Sequence, residues 1–204
     1  MELPSKYLNK AVEQFASLPS IGKRSALRLV LDLLKRNPEE IEQFSNAIQS
    51  LKDNINYCKN CGNISDQEIC SICANPSRER RTICIVEDIR DVLAIEATGS
   101  YKGLYHILGG VISPMDGKGP NDLNLIPLIE KVNNKEVDEV IFALSSTMEG
   151  DTTNFYIYKK ISNNSLKITT LSRGVSQGTE LHYADELTLG RSIIQRLPFE
   201  STFK

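Results

Sequence analysis

The sequence predicts an α+β chain of several modules in series. An N-terminal helical hairpin domain comes first, then a small four-cysteine module, an α/β layer around a parallel sheet, and a short tail carrying a helix. Three observations predict this order. Apolar residues recur at helical spacing in the N-terminal part, and four cysteines fall within residues 58–73. Beyond the cysteines, short runs rich in β-branched residues alternate with helical stretches, the pattern of a layered α/β unit.

The helical part divides at L-P-S-I-G. Residues 6–16 and 23–36 read as two helices, and 38–55 as a third. In the second, Ala26, Leu29, Val30, Leu33 and Leu34 fall at i, i+3, i+4, i+7 and i+8 and predict one apolar face. The third opens on N-P-E-E, with Pro38 suited to a first helical position and Glu39 and Glu40 at the positive end of the dipole. Ile41, Phe44, Ile48 and Leu51 predict a buried stripe along it.

Two apolar runs after the cysteines, T-I-C-I-V-E (82–87) and E-V-I-F-A-L (139–144), suit strands covered on both faces. Between them the reading places a helix (88–98), a strand (105–108), a Gly/Pro-rich loop (109–120) and a helix (122–133). A helix at 152–163, a strand at 167–171, a Gly-marked loop at 173–178 and a helix near 183–196 complete the chain.

Composition narrows the function classes. The net charge of −2 rules out a polycation, so contact with nucleic acid has to be local. Residues 1–36 hold seven cations against three anions, a local charge of +4. No apolar window is long enough to span a membrane, and the start M-E-L-P-S-K-Y lacks the apolar core of a signal peptide, so a cytoplasmic setting is expected.

The bend L-P-S-I-G-K-R-S-A-L-R-L sets Pro19 and Gly22 ahead of a new helix. Gly22 is expected to supply a conformation or a close approach that a side chain would forbid. Free N–H groups at the helix start form a seat for phosphate, and Lys23, Arg24 and Arg28 add charge beside it. Sequence-independent binding of the DNA backbone is one reading, and a plain helix pair with solvated charges is the other. The segment resembles the helix-hairpin-helix motif through Leu18, Pro19, Ile21, Gly22 and Ala26, with Ser20 standing where that motif carries its first Gly.

C-K-N-C-G-N-I-S-D-Q-E-I-C-S-I-C spaces Cys58, Cys61, Cys70 and Cys73 as two C-x2-C knuckles. Four thiolates so spaced can close a tetrahedron around Zn2+, leaving no position for water or substrate, so the ion is structural. An iron–sulfur cluster or four unrelated buried thiols are the alternatives. Cys84, in a strand, reads as a small buried hydrophobe.

Carboxylates stand at two strand ends: Glu87 and Asp91 in I-V-E-D-I-R-D-V, and Glu149 and Asp151 in S-S-T-M-E-G-D-T-T. Glu87, Glu149 and Asp151 can converge on one Mg2+ if the strand ends meet, or the carboxylates can serve as helix caps. The pattern resembles the Toprim domain, with Glu149 in place of the first Asp of its Asp-x-Asp pair. Tyr156 and Tyr158 read as packing residues, and neither His106 nor His182 has ligand or triad company in the sequence.

Taken in order, these motifs resemble the RecR family of bacterial recombination mediators. Further carriers are Y-H-I-L-G-G-V-I-S-P-M-D-G-K-G-P-N-D-L and S-R-G-V-S-Q-G-T-E-L-H-Y-A-D-E-L, the latter with Thr179 and His182 at variant positions. The resemblance implies four modules: a helix-hairpin-helix DNA-binding domain at 1–53, a C4 zinc finger at 54–78, a Toprim domain at 79–174 and an oligomerisation segment at 175–204. It further implies a non-enzymatic, nucleoid-associated role in recombinational DNA repair, acting with RecO and RecF to load RecA at single-stranded gaps. Dimers and ring-shaped tetramers around DNA are implied, with Lys23, Arg24 and Arg28 facing the hole. Glu87, Asp91, Glu149 and Asp151 would then contact RecO. A Mg2+-dependent phosphoryl-transfer enzyme of Toprim type, nuclease or topoisomerase-like, and an adaptor without DNA contact are the rival readings.

Overall fold

In a computed structural model, residues 3–162, 165–175, 178, 180–196 and 198 are described; the Thr179 departure lies outside them. The chain forms two compact units, Met1–Ile55 and Asn56–Lys204.

The first unit holds three helices, α1 (Lys6–Ala16), α2 (Lys23–Leu33) and α3 (Pro38–Asn54). Ser5 caps α1, accepting from the Leu8 N–H at 3.5 Å, and Asn37 caps α3 with Glu40 in a reciprocal box. Val12 of α1 packs on Ala26 and Val30 of α2, with Leu8, Phe15, Ile21 and Leu27 around them. This corrects the expected apolar face of α2. Ala26 and Val30 are buried, whereas Leu29 and Leu34 lie outside and Leu27 takes the inner place. The stripe on α3 is corrected more sharply: the helix buries no residue, and Phe44, Ile48 and Leu51 are exposed. The periodicity predicts an amphipathic helix, but it says nothing of whether a partner for the apolar face lies in the same chain.

The second unit begins with a two-stranded antiparallel ribbon, β1 (Asn56–Tyr57) and β2 (Ile64–Ser65), and the short helix α4 (Ser71–Ala74). The sheet follows as β3 (Glu79–Val86), α5 (Ile89–Ala97), β4 (Gly103–Ile107), α6 (Ile126–Asn133), β5 (Glu139–Phe142), α7 (Met148–Ile161) and β6 (Lys167–Thr170). All pairings are parallel in the order β4-β3-β5-β6, so β3 is flanked on both sides and the order reverses between β3 and β5. Helix α8 (Glu186–Ile194) is capped by Asp185, which accepts from the Thr188 N–H at 2.9 Å.

Two cores sandwich the sheet. One face sets Ile83, Ile85, Leu108, Val140 and Phe142 against Leu128 and Val132 of α6 and Ile157 and Ile161 of α7. The other places Cys84, Val86, Tyr105 and Ile107 against Val92 of α5. Burial on both faces explains the unbroken apolar runs. Cys84 is the buried hydrophobe expected, and burial pushes its thiol up to about 12. Tyr156 packs on the first core, whereas Tyr158 is exposed, which corrects its reading as a packing residue.

The loop 109–120 is more ordered than its composition suggests. Ser113 and Lys118 pair backbone to backbone at 2.9 and 3.0 Å, and Thr153 of α7 accepts from the Ile112 N–H at 2.9 Å. Helix α6 starts at Ile126, later than the predicted 122, because residues 120–122 form a separate short turn behind Pro120.

Candidate functional sites: a basic hairpin, a metal centre and an acidic strand end

At the hairpin bend the left-handed residue is Ser20, at φ 64°. Gly22 has φ −79° and ψ 161°, an ordinary extended conformation, and a Cβ there would meet nothing within 4 Å. The conformational need assigned to Gly22 is therefore corrected to Ser20. Gly22 is the N-cap of α2 and provides no side chain to satisfy the first N–H groups. Lys23, Arg24 and Arg28 are all exposed beside this end.

The four cysteines come together as predicted. Cys58, Cys61, Cys70 and Cys73 are 2–3% exposed, and their sulfurs lie within 4.8 Å of one another. Cys61 and Cys70 are 3.6 Å apart, close to the roughly 3.8 Å edge of a tetrahedron with ~2.3 Å Zn–S bonds. The Cys70 N–H donates to Cys58 Sγ at 3.3 Å and the Cys73 N–H to Cys70 Sγ at 3.5 Å. Gly62 turns the first knuckle at φ 77°. The donor set fits zinc and fills its coordination, so the ion ties the module together and does no chemistry. Apart from the sulfurs, only Ile69 and Ile72 pack here among the described residues, too few to form a core.

The module is fastened to the sheet. The Ile107 N–H donates to the Cys61 carbonyl at 2.8 Å, and Lys131 Nζ donates to the Asn60 carbonyl at 2.5 Å. A methyl at Gly62 would press on Asn124 Nδ2 at 2.8 Å. Nearby, His106 is fully buried with Nε2 2.5 Å from the Asn124 carbonyl, and burial depresses its pKa to about 4. It is a neutral core histidine. His182 is exposed, 3.4 Å from Glu180.

The acidic residues divide into two kinds. Asp91 accepts from the Glu87 and Asp88 N–H groups, each at 3.1 Å, and completes a capping box with Asp88 at the start of α5. Asp151 is gripped by Arg173, whose Nη1 and Nη2 donate to the two carboxylate oxygens at 3.1 and 2.5 Å. That guanidinium holds the Asp151 carboxyl below the usual carboxylate range. The carboxylates of Glu87 and Glu149, by contrast, have no hydrogen bond or ion pair among the described residues.

S-S-T-M-E-G-D-T-T turns helical at its fourth residue. Helix α7 starts at Met148, four residues earlier than predicted, with Thr147 as cap, so Glu149 and Asp151 occupy its first turn. Among the described residues the only set of three or more metal-capable side chains close enough to share an ion is the cysteine cluster. Glu87, Glu149 and Asp151 are not gathered as the convergence on one Mg2+ requires. Arg173 is the residue that sequence reasoning missed. It lies 22 positions from Asp151, and no periodicity links the two.

A basic helical hairpin, a closed four-sulfur centre and a Toprim-type sheet in one chain define a modular DNA-interacting protein. Residues 8–52 match the family model described as RecR, helix-hairpin-helix, and 55–75 match the RecR zinc finger domain of the four-cysteine type. Residues 81–172 match Toprim domain, and 174–196 match RecR, C-terminal. The chain is 59% identical over 204 residues to recombination protein RecR of Flavobacterium johnsoniae, covering 100% of this chain and 99% of that one. It is 56% identical over 201 residues to that of Bacteroides thetaiotaomicron, covering 98% of each. With that of Porphyromonas gingivalis it shares 51% over 201 residues, covering 98% of this chain and 97% of the other.

The chain belongs to the RecR family, recombination proteins of recombinational DNA repair. Its Toprim domain is non-catalytic, which sets aside the phosphoryl-transfer reading. No helix among the described residues is long and apolar enough to cross a membrane.

Proposed function

We propose that the protein is a clamp-like mediator that holds DNA by its backbone at single-stranded gaps and works with RecO and RecF to load RecA. The observation that carries the DNA contact is the uncapped start of α2, with Lys23, Arg24 and Arg28 exposed beside it. Free N–H donors and three cations in one place suit phosphate oxygens and read no base. The modules are taken as 1–53 for DNA binding, 54–78 for zinc, 79–174 for the Toprim layer and 175–204 for assembly. The setting is the cytoplasm, at the nucleoid.

Two further features support this reading. The bare apolar face of α3, with Phe44, Ile48 and Leu51, suits association of N-terminal units from separate copies into a dimer and then a ring. The unengaged carboxylates of Glu87 and Glu149 suit a basic surface on RecO, whereas Asp91 and Asp151 are occupied within the fold.

The test is DNA affinity across a salt series for the protein and for Lys23→Glu/Arg24→Glu. Affinity of the unaltered protein falls steeply with salt as counterions are released, and the double variant loses binding by roughly 100-fold or more with its fold intact. Undiminished binding by the double variant would sink the assignment.

A further inference from the structure

Helix α8 buries no residue, and Leu187, Ile193 and Ile194 stand exposed on it. Apolar packing therefore does little to hold this last helix on the sheet unit. What meets it is charge. Asp151, in the first turn of α7, takes a bidentate hold from Arg173, which follows β6, and Arg191 of α8 reaches the same carboxylate at 3.9 Å. Residue 174 is close to α8 as well, since a Cβ on Gly174 would lie 3.8 Å from Ser192 Oγ. These elements wall a cleft of about 910 Å³, with Met148 and Phe155 on one side and Leu187 and Thr188 on the other.

The Asp151–Arg173 pair joins two distant elements and is partly shielded, as Arg78–Glu96 is. Arg81–Asp138 has both side chains more than half exposed, and Arg36–Asp32 and Arg90–Asp88 are local in sequence. Exposed or sequence-local pairs of that kind contribute little. Arg173 is 23% and Asp151 43% exposed, and the planar fork fits the carboxylate with two bonds at once, as Arg78 also does for Glu96; in this geometry a charge pair is strong and directional.

We propose that Asp151 is a latch that fastens the C-terminal segment to the sheet unit, with the Arg173 guanidinium filling the cation position beside that carboxylate. The acidic turn thus does mechanical work. Its charge is neutralised from within the chain, so the carboxylate serves neither a divalent ion nor a partner's lysine.

Hydrogen exchange of the full-length protein tests the latch. In Asp151→Asn and in Arg173→Gln, amides of 172–175 and 186–194 should exchange about fivefold faster or more, while β3 keeps its protection as the control for folding. Exchanging the charges, Asp151→Arg with Arg173→Asp, should restore much of the lost protection. Titration with MnCl2 provides a second readout, in which no binding that depends on Asp151 is expected. Unchanged exchange in both single variants overturns the proposal, and so does Mn2+ binding that Asp151→Asn abolishes.

Discussion

Gly150 lies in the first turn of α7, where an added methyl group would overlap the carbonyl oxygen of Ser145. The obstacle is backbone, which cannot swing aside as a side-chain tip can. Gly150→Ala should therefore destabilise the sheet unit by about 3 kcal/mol, the upper range for forced overpacking, as measured by urea denaturation. The opposite case is Ser20, held at φ 64° without the freedom of glycine. A left-handed residue with a side chain costs ~1–2 kcal/mol, and glycine's extra unfolded-state entropy returns part of that gain. Ser20→Gly should raise the stability of the helical unit by about 0.5 kcal/mol, read as a higher thermal midpoint; a lower one would refute the strain at this bend. The sequence shows that a glycine is missing at position 20 of the hairpin motif. It cannot show that the serine there takes a left-handed backbone angle, since nothing in its residue type asks for one.

At the scale of elements, the zinc module and strand β4 behave as one piece. The Ile107 N–H is spent on the Cys61 carbonyl, and Ile72 packs against both the sulfur cluster and the Cys84–Val92 core. Chelating the metal should expose amides 56–75 to rapid hydrogen exchange and lower the thermal midpoint of the sheet unit, while α1–α3 keep their protection, since metal binding is folding free energy for so small a module. Protection of 56–75 that persists in the metal-free protein would contradict this. The cysteine spacing made the module legible from sequence, because two knuckles at that separation admit few geometries. The β-branched runs made the strands legible for the same kind of reason. What escaped was the start of α7: Met-Glu-Gly-Asp reads as a turn by composition, and only the Thr147 cap and the room beside Ser145 allow a helix there. Loop 109–120 was also underestimated, since its order rests on Thr153, more than thirty positions away.

Among the described residues the apolar face of α3, like that of α8, stands without a cover in the single chain. A helix of 17 residues that buries nothing gains little from tertiary packing, and helices of that length are marginal in isolation. Phe44→Glu/Ile48→Glu should reduce the solution mass by light scattering to that of a smaller assembly, while the two core clusters of the sheet unit stay folded. An unchanged mass would remove α3 from the interface. The strand order has a different consequence, for synthesis of the chain on the ribosome. The helical unit is made of neighbours in sequence and can fold as it emerges. Strand β3, the middle of the sheet, appears early, yet its partners begin only at Gly103 and Glu139. Until the polymerising chain passes Phe142, β3 has at least one naked flank of Ile, Cys and Val. Nascent chains stalled between those points are thus the species of this protein most in need of a chaperone.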